Sequence, residues 1–145
     1  MLASTVTKKL HGMLTVVLLL LVGGYAVYYS FFNSPPHDTF VSKQKLSDSV
    51  WLYVTKYDDG NATVSNIYRF YLDKDLGNSD VTNALKDRSP FLETNTDAVT
   101  ATAYGNTVNV KMTGKIYSFT NSDLFYENNV AVMPVINITA NGVRD

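Results

Sequence analysis

Hydrophobic and polar positions fall into three regimes along this chain: an unbroken apolar run, then stripes at helical spacing, then alternation. The run is Gly12 to Phe32, GMLTVVLLLLVGGYAVYYSFF, and no charge stands between Lys9 and Asp38. Some 20 helical residues rising about 1.5 Å each cover roughly 30 Å, the thickness of a bilayer's hydrocarbon core, so residues 13–32 read as a transmembrane helix. Pro35 and Pro36 lack amide protons and disfavour helix in the residue before them, which makes 33–41 a linker. From Ser42, an N-cap residue type, Leu46, Val50, Tyr53, Val54 and Tyr57 recur at spacings of three and four and predict an amphipathic helix ended by Asp58-Asp59-Gly60-Asn61. Trp51 lies between stripe positions and reads as a widening of the buried face, with exposure toward a partner as the alternative. Val64, Ile67, Tyr68, Tyr71 and Leu72 fit a helical face, although their β-branched and aromatic content also suits a strand; helix is the expectation. Ser79-Asp80 caps a shorter helix through Val81, Ala84 and Leu85, with Arg88 near its C-terminus and Pro90 closing it.

Alternation takes over at Val99. A two-residue Gly105-Asn106 turn sets Ala103 opposite Val108, Ala101 opposite Val110 and Val99 opposite Met112, with Thr102 facing Asn109 and Thr100 facing Lys111. One face of this hairpin is apolar and the other polar, as in an antiparallel pair with one side on a core. Lys115 to Phe119 reads as a third strand and Asn121-Ser122-Asp123 as a turn. Val130 to Thr139 reads as a last strand with Val130, Val132, Ile136 and Ile138 on one face. Pro134 sits in that strand and cannot donate to a ladder, so an edge position or a bulge is expected. Helices followed by an antiparallel sheet predict an α+β domain over residues 42–145, after a tail or leader at 1–12, the span at 13–32 and the linker at 33–41.

Charge sets the expected orientation. Lys8 and Lys9 precede the span and the first charge after it is Asp38, so the N-terminus is expected in the cytoplasm and the domain in the periplasm or outside the cell, the span crossing the inner membrane once. Tyr25, Tyr28, Tyr29, Phe31 and Phe32 crowd the outer end, where amphipathic rings sit at headgroup level. The rival reading is a cleaved signal peptide, with Met13 to Val22 as its apolar core and Gly24-Tyr25-Ala26 as its cleavage site. Either way the remainder is exported. The chain has 145 residues, 17% charged, with a net charge of −1, so nothing in its charge suggests nucleic acid. It contains no cysteine, so the exported domain has neither disulfides nor thiolate chemistry to rely on.

The chemistry-bearing residues are sparse. The two histidines, His11 and His37, lie on opposite sides of the span, which leaves no metal site or catalytic triad to be built from them. Asp58 with Asp59, and Asp73 with Asp75, are carboxylate pairs that begin no EF-hand pattern and read as turn acids. Asn61-Ala62-Thr63 and Asn137-Ile138-Thr139 match the N-glycosylation triplet. No catalytic residue, cofactor or metal is expected, and the chain reads as non-enzymatic.

Lys8-Lys9-Leu10-His11-Gly12, followed by Met13-Leu14 and the apolar run, resembles the leader junction of type IV prepilins. The stretch from Pro90 to Val110, after Tyr25 to Ser30 and a later helix, is similar to the layout of type IVb pilins. The resemblance implies Gly12 as the cleavage-site residue, Met13 as the first mature residue, an apolar helix packed in a filament core and a sheet domain facing outward. Val17 stands where the family usually has glutamate, no C-terminal disulfide exists, and Pro35-Pro36 interrupts the long helix. These departures point to a minor pilin or pilin-like component rather than a major subunit.

Small residues allow helices to approach closely in a membrane, and Gly23, Gly24 and Ala26 cluster on the outer half of the span. The expected partners are therefore the membrane and other protein subunits, in a homo- or hetero-oligomer. The expected function is structural or assembly work in a bacterial pilus or secretion machine. The alternative is a membrane-anchored periplasmic binding or regulatory domain resembling the short inner-membrane subunits of type IV secretion systems.

Overall fold

The structure, a computed structural model, describes residues 2–32, 37–58, 66–77 and 80–142. It divides into two units, Met1–Pro35 and Pro36–Asp145. The first is one helix, α1 (Leu2–Phe32), so the tail expected before the span is itself helical from Leu2. Within α1, Thr7–Ser30 is long and apolar enough to cross a bilayer, and none of it is buried against protein. Its 24 residues would reach about 36 Å. The Thr15 hydroxyl folds back to donate to the His11 carbonyl at 2.8 Å, and the rings of Tyr25 and Tyr29, one turn apart, lie 6.3 Å from each other.

The second unit is built mostly of strands. In chain order these are β1 (His37–Lys45), β2 (Trp51–Asp58), β3 (Ile67–Asp73), β4 (Leu92–Thr94), β5 (Val99–Tyr104), β6 (Thr107–Thr113), β7 (Ile116–Phe119), β8 (Phe125–Glu127), β9 (Val130–Val132) and β10 (Val135–Asn141), with one short helix, α2 (Val81–Leu85), between β3 and β4. A five-stranded sheet runs β1-β2-β3-β4-β7 and is antiparallel throughout. A three-stranded sheet runs β10-β6-β5, with β10 parallel to β6, and β8 pairs with β9 as a separate ribbon. Leu52, Val54, Phe70, Leu72 and Leu92 from the first sheet share one core with Ala101, Val108, Val110, Met112 and Ile136 from the second, so the two sheets pack face to face. Phe70, Leu72 and Leu92 are fully buried, and each contributes about 1.5–3 kcal/mol by leaving water.

Five sequence expectations change. The helix expected from Ser42 through Tyr57 is instead β1 and β2, joined by a turn in which the Leu46 and Ser47 amides donate to the Val50 carbonyl at 2.9 and 3.1 Å. The stripe misleads because β2 is covered on both faces: Leu52 and Val54 enter the main core while Tyr53 and Thr55 are buried on the other side. A strand buried on both sides loses its period of two, and its run of apolar residues then fits a helix equally well. The helix expected over 64–72 is β3 from Ile67, where Phe70, Tyr71 and Leu72 are buried in succession for the same reason. The domain is thus strands with one five-residue helix among the described residues, not helices followed by a sheet, and β1 occupies 37–41 of the expected linker. The strand expected over Val130 to Thr139 is broken at Met133-Pro134 into β9 and β10.

Other expectations hold. Every pair proposed for the hairpin is found, from Val99 with Met112 to Ala103 with Val108, and Gly105 adopts φ +58° in its turn. β10 lies at an edge of its sheet, as Pro134 implied. Residues 116–119 form a strand, although it joins β4 rather than the hairpin. Asp80 caps α2, accepting the Asn83 amide at 3.2 Å. Ser79, the 33–36 segment and the turn at 59–61 with the first glycosylation triplet lie outside the described residues.

Candidate functional site

The residues proposed for leader cleavage and helix packing, Gly12, Met13, Gly23, Gly24 and Ala26, all lie on α1 and are exposed. A side chain added at Gly12, Gly23 or Gly24 would meet nothing within 4 Å. Gly23 and Ala26, three residues apart, share a face; Gly24 points about a quarter turn away.

Chemistry concentrates instead on the outer face of the five-stranded sheet. The alternation that sends Phe70 and Leu72 into the core sends Arg69 and Tyr71 outward, and register places Thr55 and Glu93 on either side of Arg69. Asp38, on β1 opposite Tyr57, is the hub. Its carboxylate accepts the Thr55 hydroxyl at 2.6 Å, Arg69 Nη1 at 2.9 Å and the Tyr71 hydroxyl at 3.4 Å. Arg69 Nε donates to Glu93 Oε1 at 2.9 Å, and the guanidinium lies 4.0 Å from the centre of the Tyr57 ring, a cation–π contact. Burial disfavours the charge on Arg69, but the Glu93 hydrogen bond and the Asp38 field outweigh it and raise its pKa. Burial and the Asp38 charge push Tyr71 up to about 12.

The helix α2 closes one side. Asp80 accepts the Thr82 hydroxyl and the Asn83 amide, which holds its carboxyl below the usual range. This cap sets Val81 and Leu85 against Tyr53 and Tyr71, with Trp51 and Leu76 at the margin, forming a second small core. Trp51 therefore packs, as its first reading proposed. The Tyr53 hydroxyl donates to the Lys74 carbonyl at 3.0 Å and accepts the Leu76 amide at 2.9 Å, and burial raises its pKa. Between sheet and helix lies a cleft of about 530 Å³, with Asp38, Tyr57, Arg69 and Tyr71 on one side and Lys86 and Ser89 among those on the other. Lys86 joins none of the ion pairs among the described residues.

Arg88 anchors the far end. Its guanidinium pairs with Asp73 and with Asp123 Oδ1 at 2.5 Å, and donates to the Leu124 carbonyl at 3.1 Å. The other oxygen of Asp123 accepts the Leu72 amide at 2.7 Å. β4 pairs with β3 only from Tyr68 to Phe70, so this carboxylate takes the place of a ladder partner where the short strand has ended. Burial raises the pKa of Asp123, against the Leu72 amide and Arg88, which favour its charge.

Sequence reading placed Arg88 at a helix end and Asp123 in a turn; the structure joins them. Asp73 and Asp75 do not form a joint site, because Asp73 turns to Arg88 while Asp75 accepts the Gly77 amide at 2.9 Å. His37 lines the cleft and His11 lies on α1. No group of three or more metal-ligating side chains occurs among the described residues. The residues lining the cleft include Arg69 and Arg88, two of the chain's three arginines, each held by carboxylates. That scarcity of arginine beside nine lysines was the one sequence signal for them. In comparisons with known proteins, no family model matches this chain, and no curated protein or solved structure matches it either.

Proposed function

We propose that the chain is a non-enzymatic component of a bacterial envelope assembly, a pilus or a secretion machine, tethered by α1 with its strand-built domain outside the inner membrane. The observation that carries this reading is the apolar stretch Thr7–Ser30, exposed throughout. A helix apolar on all sides needs lipid or other helices around it. The exposure of Gly23 and Ala26 supports helix packing in that setting. The cleft beside Arg69 favours a second reading, a membrane-anchored binding or regulatory domain.

Mass spectrometry of the mature N-terminus, combined with crosslinking of Gly23→Leu/Gly24→Leu, tests both. A start at Met13 together with loss of crosslinks in the double variant supports the pilin-like component. An intact Met1 with crosslinks unchanged supports a passive tether and the binding-domain reading. A start at Val27 removes the span and overturns the anchored account altogether.

A further inference from the structure

The outer face of the three-stranded sheet differs in chemistry from the cleft. Strand register lines up Thr102, Asn109 and Asn137 in one row and Thr100, Lys111 and Thr139 in the next, and all six are exposed. The Asn137 amide donates to Asn109 Oδ1 at 3.2 Å, which leaves further donors and acceptors of both carboxamides facing outward. No acidic side chain stands in these rows, and Lys111 joins none of the ion pairs among the described residues. Lys111 borders a hollow of about 390 Å³ walled by Thr100, Thr139 and Asn141. At the hairpin end of the same face Tyr104 is 88% exposed.

We propose that this face binds a carboxylate-bearing glycan strand. Hydroxyl and carboxamide groups both give and accept hydrogen bonds, which is the pattern a polyol presents in return. The rows repeat at roughly 6.8 Å along the strands and 4.8 Å across them, the scale of a pyranose ring. The uncompensated Lys111 ammonium supplies the charge complement of a sugar carboxylate. Tyr104 offers an open aromatic face against which the C–H face of a sugar ring stacks. A neutral glycan would leave Lys111 without a counterpart, and an acidic peptide would leave most of the hydroxyl rows unused.

The test uses the full chain in detergent micelles passed over immobilised polygalacturonate, its methyl ester, dextran and polyglutamate. Retention on polygalacturonate above the other three is expected. Lys111→Gln should reduce it at least about tenfold, the loss expected of one charge-assisted hydrogen bond, and Tyr104→Ala should also weaken it. Lys45→Gln, exposed on β1 of the five-stranded sheet, should bind as wild type does. Unchanged Trp51 fluorescence and urea midpoints show that these exposed variants remain folded. Equal retention on polyglutamate means charge attraction only and overturns the proposal, as does equal retention on dextran or the ester, absence of retention, or wild-type binding by both variants. The measurement does not depend on where α1 resides, so its failure is separate from failure of the anchored reading.

Discussion

Replacing Arg88 by Met isolates the ion-pair network that ties β3, the segment after α2 and the Asp123 loop together. Arg88 is the only cation paired with Asp73 and Asp123 among the described residues, and their side chains are only 11% and 7% exposed. Met keeps much of the side-chain volume and removes the charge. Two largely buried carboxylates are then left facing each other, a change that costs about 3–5 kcal/mol. That is a large part of the 5–15 kcal/mol typical of a domain. Urea unfolding of the full chain in micelles reads the loss through Trp51, the sole tryptophan, which packs at the edge of the second core. The pH dependence carries a sign. Burial already raises Asp123 above the usual carboxylate range, and loss of Arg88 raises it further. A carboxyl with a raised folded pKa favours folding below its unfolded pKa and loses that contribution as pH rises through the folded value. The penalty of Arg88→Met is therefore greatest at neutral pH and shrinks in acid. Adding Asp123→Asn, which still presents an oxygen to the Leu72 amide, should recover about 1–3 kcal/mol at neutral pH. A neutral-pH loss under about 1 kcal/mol, or a loss that does not change with pH, would refute the reasoning.

Three further substitutions and one titration probe the sheets. Gly105→Val places a β-branched side chain at φ +58° and should destabilise by about 1–2 kcal/mol, whereas Thr102→Val on the outer face of the same hairpin should be nearly neutral; equal losses in urea unfolding would mean the register is wrong. Tyr71, neutral and held up to about 12 against an ordinary 10.0, adds stability that is complete below pH 10.0 and disappears as pH rises toward 12. Screening by water in the cleft limits this to about 1–2 kcal/mol, and Tyr71→Phe should flatten the alkaline decline; an unchanged slope places the titration elsewhere.

The β5–β6 hairpin was legible because one face packs and the other is wet, so its pattern has one interpretation. β2 and β3 were not. Tyr53 and Tyr71 are buried on the face opposite Leu52 and Leu72, and α2 supplies the cover that erased their alternation. β1 was hidden for the contrary reason: its side chains are almost all exposed, so no apolar period marks a strand. The bulge between Phe40 and Ser42 disturbs even its polar alternation. The site was the least legible part, since its contacts span the chain. Asp38 meets Arg69 from 31 residues away, Arg88 meets Asp123 from 35, and the Leu72 amide meets Asp123 from 51. No local spacing encodes such pairs; they follow from which strands become neighbours.

The central claim is that α1 crosses the inner membrane with the strand-built domain outside, and labelling of introduced cysteines tests it most directly. The chain has no cysteine of its own, so Ser4→Cys and Thr139→Cys each provide a single reporter. The account predicts that a membrane-impermeant maleimide added to cells with only the outer membrane permeabilised labels Thr139→Cys at once and, in chains that keep residues 1–12, labels Ser4→Cys only after the inner membrane is opened. Labelling of Ser4→Cys with protection of Thr139→Cys, or protection of both until lysis, would contradict it.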